Sequence, residues 1–142
     1  MPYDPMLVQP MREELTSIGL TELTTADEVD SALKKSGTTL VVVNSVCGCA
    51  AGAARPGVAM AAKHSVLPDN MVTVFAGQDL EATERVRSYF TGQPPSSPSM
   101  AIMRDGELVA FMPRNNIEGR TADQIASALT SAFDETCAGS PA

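Results

Sequence analysis

Thr38-Thr39-Leu40-Val41-Val42-Val43-Asn44-Ser45-Val46-Cys47-Gly48-Cys49 joins the most apolar run of this chain to a pair of cysteines. Residues 38–44 are rich in β-branched side chains and continuously apolar at their centre. That pattern suits a strand covered on both faces of a sheet. Ala-rich sequence follows from residue 47 to about residue 64. It predicts a helix, broken or kinked near Pro56-Gly57. Cys47 and Cys49 therefore stand where a buried strand passes into a helix. In open α/β sheets, ligands and catalysis collect at that edge.

The flanking sequence completes the layout. Met11, Leu15 and Ile18 share a face of a first helix, with Gly19 as its stop. Thr25 with Glu28 is a capping box opening a second helix through Val29 and Leu33. Residues 71–76 read as another buried strand, and Asp79 can cap a helix carrying Ala82, Val86 and Phe90. Residues 99–103 and 107–112 read as strands joined at Asp105-Gly106, a strong hairpin signal. Thr121 with Gln124 is a second capping box, opening a last helix with Ile125, Leu129 and Phe133 on one face. The order α-α-β-α-β-α-β-β-α implies parallel strands with right-handed crossovers, then an antiparallel hairpin. The expected fold is α/β and thioredoxin-like: a central mixed sheet of about four strands flanked by helices, with an extra N-terminal helix.

The 142 residues fit one domain, 1–142. The nearest thing to a linker, Thr91-Gly92-Gln93-Pro94-Pro95-Ser96-Ser97-Pro98-Ser99, is too short to separate two domains. Hydrophobic residues at 44% and charged residues at 19% describe a globular chain. Ten Lys and Arg against 17 Asp and Glu give a net charge of −7, which repels phosphate backbones. Aromatic residues are 4% and Trp is absent, so base-stacking platforms are poorly supplied as well. No apolar run approaches the roughly 18–20 residues of a membrane span. Met1-Pro2-Tyr3-Asp4-Pro5 carries neither a basic nor an apolar leader pattern, so the expected compartment is the cytoplasm.

Three cysteines are too few, and odd in number, for a secreted disulfide framework. In a reducing compartment a close pair suggests metal binding or transient redox chemistry. A helix N-terminus presents unpaired N–H groups and a positive dipole end, which stabilise a thiolate. Cys47 is the candidate nucleophile, and Cys49, further into the helix, the resolving thiol. Gly48 is expected to permit a tight turn and close approach of a substrate. A Cys47–Cys49 disulfide closes a small, strained ring, so the pair should be a poor general reductant and better suited to mixed-disulfide exchange or isomerisation. The metal alternative draws on Cys47 and Cys49, with Cys137 and His64 as further ligands, although zinc sites usually bring two close pairs. A packing role and a redox-sensor role carry less weight. His64 has no evident partner. Pro98 stands where thioredoxins carry a cis-proline, and a cis Ser97–Pro98 bond would place that backbone beside Cys47.

Several segments together resemble the bacilliredoxin family. They are Val43-Asn44-Ser45-Val46-Cys47-Gly48-Cys49-Ala50-Ala51-Gly52 with Ala54-Arg55-Pro56, Thr73-Val74-Phe75-Ala76-Gly77-Gln78-Asp79, and Tyr89-Phe90-Thr91-Gly92-Gln93. Pro95-Ser96-Ser97-Pro98-Ser99-Met100-Ala101, Ile117-Glu118-Gly119-Arg120 and Pro10-Met11-Arg12 with Glu14-Leu15-Thr16 extend the match over nearly the whole chain. The resemblance implies a thioredoxin-like fold and thiol–disulfide exchange with bacillithiol as co-substrate and no bound cofactor or metal. Bacillithiolated client proteins would be the partners. Apart from the resemblance, an apolar flat face would support a homodimer. The resemblance also implies weak disulfide isomerase activity in some members. Cys47 would take bacillithiol from the client, and Cys49 or free bacillithiol would resolve the adduct. Gly48, Ser97, Pro98, Asn44 and Arg55 are the candidate substrate-binding residues. Asn44 and Ser45 read as loop-bonding or as simple caps. Arg55 reads either as a partner for a bacillithiol carboxylate or as a surface charge. Arg114 and Arg120 read as solvated, and Cys137 as a spare thiol outside the chemistry.

Overall fold

The structure, a computed structural model, describes residues 3–137. Five strands form one sheet in the order β1-β3-β2-β4-β5. They are β1 (Thr21–Glu22), β2 (Thr38–Asn44), β3 (Asn70–Phe75), β4 (Ser99–Arg104) and β5 (Glu107–Met112). The helices are α1 (Pro5–Thr16), α2 (Ala26–Leu33), α3 (Arg55–Ala61), α4 (Leu80–Ser88) and α5 (Ala122–Thr136).

All seven residues of β2 are buried. It is parallel to β3 on one side and antiparallel to β4 on the other. Because strand side chains alternate, β2 feeds both cores. Leu40 and Val42 join Leu15, Val58, Ile125 and Phe133, from α1, α3 and α5. Val41 and Val43 join Val29, Val86 and Phe90 on the side of α2 and α4. Both expected capping boxes are formed, Thr25 with Glu28 and Thr121 with Gln124. Asp105 (φ 51°) and Gly106 (φ 85°) both adopt left-handed backbone, as a type I′ hairpin turn between right-twisted strands requires.

Two expectations need correction. The sheet has five strands, not about four: β1 adds to the edge by pairing Thr21 with Val72 and Glu22 with Thr73. Two residues give no readable alternation, so β1 exists because β3 offers it a ladder. Asp79 holds the N-cap position of α4, but its side chain makes no cap bond. Instead its carboxylate accepts two hydrogen bonds from the Arg12 guanidinium, at 2.8 and 2.9 Å. The helix after the motif is irregular near Pro56, as expected: residues Ala50–Ala54 form a π-turn leading into α3. Proline has no N–H to return to the preceding turn, and the wider turn accommodates the loss. Gly57 then lets α3 lie directly on α5, since a Cβ there would meet Ile125 Cγ2 at 2.6 Å.

Among the described residues no helix is long and apolar enough to cross a membrane.

Candidate active site

β2 ends at Asn44, and the helical segment begins at Gly48. Cys47 and Cys49 are both half-buried free thiols, with their sulfurs 2.7 Å apart. The loop carrying them is pinned from beneath. Asn44 Oδ1 accepts the Ser45 N–H at 2.8 Å, and Ser45 Oγ accepts the Cys47 N–H at 3.2 Å. The Cys47 carbonyl accepts from the N–H groups of Ala50 and Ala51, at 3.1 and 3.2 Å.

This environment separates the two sulfurs. Burial opposes the Cys47 thiolate. Hydrogen bonds from the Cys49 thiol, the Ala50 N–H, the Ser45 hydroxyl and the Cys49 N–H outweigh it, and the Cys47 thiol falls below its ordinary value. Cys49 moves the other way. Burial raises it, and the neighbouring Cys47 sulfur raises it further as a hydrogen-bond acceptor and a negative charge. The positive charge of Arg114 partly offsets that rise. The pair is thus biased one way: ionisation is favoured on Cys47 and opposed on Cys49, whose thiol is the donor to Cys47.

The second wall of the site is the loop before β4. Ser99 pairs with Val43 across the antiparallel ladder, so residues 97 and 98 continue opposite residues 45 and 44. The Ser97–Pro98 bond is cis. Pro98 itself is buried, and Ser97 is half-buried, so Ser97 is the part of this dipeptide open to solvent.

Arg55 is neither at the surface nor free for a substrate. It is 2% exposed. Its Nη1 donates to Asn44 Oδ1 at 2.9 Å and to the Ser45 carbonyl at 2.7 Å. Its Nε lies 3.1 Å from Glu14 Oε1, an ion pair without hydrogen-bond alignment. Asn44 is likewise buried, at 2%, and its Nδ2 donates to the Met11 carbonyl at 3.1 Å. Both residues support the motif loop from below, so the expectation that they face a substrate is corrected. The N-terminal helix acquires a role here, since Met11 and Glu14 of α1 anchor that support. Gly48 is exposed. Its φ is not positive, and a Cβ would meet nothing within 4 Å, so no tight turn demands glycine; the position leaves open space beside both sulfurs.

Arg114 is not simply solvated. Nη1 donates to the Ser97 carbonyl at 3.3 Å, and Nη2 to Glu118 at 3.1 Å. Its charge acts on both cysteines. Sixty-seven residues separate Arg114 from Cys47 in sequence (114 − 47), so only the hairpin's return brings them together.

Cys137 and His64 lie elsewhere. Arg104 donates to the Thr136 carbonyl, and Arg104 pairs with Thr38, at the opposite end of β2 from the motif. Six residues at about 3.3 Å each put the C-terminal end of α5 roughly 20 Å along the sheet from the cysteine pair. His64 also faces that helix, with Nε2 2.9 Å from Asp134 Oδ1, a partner its sequence context did not reveal. The four ligands of the metal alternative are therefore not gathered at one place. No group of three or more metal-ligating side chains occurs among the described residues.

A family model described as disulphide isomerase matches residues 3–137. A bacilliredoxin of Koribacter versatilis is 57% identical over 95% of this chain and 94% of its own. A bacilliredoxin of Cytophaga hutchinsonii is 53% identical over 94% of this chain and 98% of its own. The chain belongs to the bacilliredoxin family. It is a thiol–disulfide oxidoreductase. Mitochondrial thioredoxin 3 of Saccharomyces cerevisiae superposes with a TM-score of 0.58 at 15% identity, covering 86% of this chain and 98% of that one. At that identity the likeness concerns the fold alone.

Proposed function

We propose that this bacilliredoxin removes bacillithiol from mixed disulfides on client proteins, in the cytoplasm, with Cys47 as nucleophile and Cys49 as resolving thiol. The observation that carries the assignment of roles is the contact between two sulfurs whose acidities are pushed in opposite directions. That its relatives are bacilliredoxins supports bacillithiol as the thiol.

The Cys47 thiolate attacks the bacillithiol sulfur of the mixed disulfide. A Cys47–bacillithiol disulfide forms, the disulfide bond between the client sulfur and the bacillithiol sulfur breaks, and the client leaves as a thiolate that takes a proton from water. Negative charge has now left Cys47. The part of the Cys49 rise that came from the Cys47 sulfur is removed, burial remains, and Arg114 still favours the Cys49 thiolate. Cys49 then attacks Cys47 Sγ, releasing bacillithiol thiolate and leaving a Cys47–Cys49 disulfide. Free bacillithiol thiolate can instead attack the bacillithiol sulfur of the adduct. That step frees Cys47 and produces oxidised bacillithiol. Both routes balance in electrons: the first leaves the protein as a disulfide, which two further bacillithiol molecules reduce to the dithiol with release of oxidised bacillithiol, and the second returns Cys47 reduced directly. Gly48 and Ser97 border the space through which the disulfide enters.

Intact mass spectrometry of the reduced protein, mixed with a bacillithiolated client, tests this reading. The Cys49→Ala variant should hold one bacillithiol on Cys47, and wild type should release it as the client is reduced. Cys47→Ala should form no adduct and leave the client modified. A fully active Cys47→Ala variant would falsify the assignment.

A further inference from the structure

We propose that Arg114 is the specificity-determining residue of this site, taking a carboxylate of the low-molecular-weight thiol while that thiol's sulfur is bonded to Cys47. The inference rests on the bacilliredoxin reading and narrows it to thiols that carry an acidic group.

Four observations carry it. A cleft of about 480 Å³ lies between residues 93–97 and residues 113–115, with Arg114 in its wall. The cleft opens beside the cis Ser97–Pro98 bond, the segment that continues the sheet opposite the motif loop. The Arg114 side chain is 40% exposed and already holds a carboxylate, Glu118, at 3.1 Å. Only one arm is committed to the backbone, through the Ser97 carbonyl. Finally, the chain carries a net charge of −7, so its general field repels an anionic co-substrate and a cation beside the sulfurs must offset it. Arg55, the cation expected from sequence, is buried against Asn44 and Ser45 and cannot serve.

A guanidinium binds carboxylates through parallel N–H donors. Glu118, itself 57% exposed, occupies that fork in the resting protein. An incoming carboxylate displaces it at little cost, because an exposed pair at i,i+4 spacing is weak. Glu118 therefore acts as an internal competitor that keeps Arg114 oriented when no thiol is bound.

The test compares exchange of the reduced protein with two disulfides of like size, the anionic bis(carboxyethyl) disulfide and the neutral bis(hydroxyethyl) disulfide. The readout is the ratio of the two kcat/KM values. Changes in Cys47 reactivity or in folding act on both substrates and cancel in that ratio. Arg114→Ala should lower the anionic-to-neutral ratio about tenfold, the loss expected for one charge-assisted pair. Arg114→Lys should retain part of the preference, and Glu118→Gln should raise it. An unchanged ratio in Arg114→Ala, or a ratio that fails to rise in Glu118→Gln, overturns the proposal. Reduction of the bacillithiolated client by wild type is scored separately. If wild type cleaves that client and the ratio does not move, this inference alone fails. If the ratio moves and the client stays modified, the acidic subsite stands and the bacillithiol assignment falls.

Discussion

Replacing Arg55 by Met removes the cation under the motif loop while keeping most of the buried stem. The structure sets the size of the effect. The guanidinium is 2% exposed and donates to the Ser45 carbonyl at 2.7 Å and to Asn44 Oδ1 at 2.9 Å. Asn44 Oδ1 keeps the Ser45 N–H as a second partner. The Ser45 carbonyl loses this donor, and a buried acceptor left unpaired costs about 1–3 kcal/mol. The pair with Glu14 adds less than about 1 kcal/mol, because that carboxylate is 46% exposed. Relief of the desolvated charge works in the opposite direction. The net expectation is a loss of about 2–3 kcal/mol, or roughly 10 °C in Tm for a domain of this size. Urea and thermal unfolding of the reduced protein, followed by far-UV circular dichroism, measure it. Arg55→Lys keeps the charge but not the fork and should fall in between. Exchange by Arg55→Met, assayed where it is still folded, should also slow, because the Ser45 hydroxyl that accepts the Cys47 N–H moves with the released loop. An Arg55→Met protein within about 0.5 kcal/mol of wild type, with unchanged exchange, would refute the supporting role assigned to this arginine.

The remaining expectations concern the sulfurs, two glycines and the acid limb of stability. Ser45→Ala removes one donor to the Cys47 thiolate, so the pH profile of Cys47 alkylation by iodoacetamide should move to higher pH; a profile that stays in place contradicts the hydrogen-bond account. Gly48→Ala should leave stability within about 0.5 kcal/mol of wild type in urea, because the added methyl meets open space. Gly57→Ala should cost about 1–3 kcal/mol, since its Cβ would lie 2.6 Å from Ile125 Cγ2 and 3.2 Å from the Ala122 carbonyl. Asp30 is held down at about 2, first by hydrogen bonds from Arg85 and then by the Tyr89 hydroxyl. A depressed carboxylate adds stability that is present above its unfolded value, near 3.8, and is lost as pH falls through the folded one. Thermal unfolding of Asp30→Asn should therefore show a shallower decline between about pH 4 and pH 2, and a decline as steep as that of wild type counts against the link.

The sheet and its helices were legible wherever one local rule acted alone. β2 is apolar on both faces because both faces are covered, and that reads directly as a continuous run. Thr25 with Glu28 and Thr121 with Gln124 bond within one helical turn, so spacing suffices to identify them. β1 was invisible because its two residues are strand only through the neighbour they pair with. Asp79 was placed correctly and its bonding missed for a related reason: Arg12, 67 residues away, competes for the carboxylate and wins it with a two-pronged contact.

The site divides along the same line. Cys47 and Cys49 stand out in the sequence because a strand end and a helix start are local features, and the chemistry expected of them follows from that junction. The arginines were exchanged because a guanidinium's role depends on which way a long, flexible stem runs, and sequence spacing carries no such information. Arg55 follows the cysteines within two turns, and its spacing fits a neighbour of the substrate or a surface charge equally. Yet the polar atoms of Asn44 and Ser45, buried at the strand end, need a donor from inside the fold, and Arg55 lies within reach. Arg114 belongs to a different segment and reads as solvated, yet the hairpin returns it to the cis-proline loop, where its charge acts on both sulfurs. One cation is therefore spent on holding the loop and is closed to solvent. The other stays half open with a carboxylate already on it, and only that one can answer the charge of an arriving thiol.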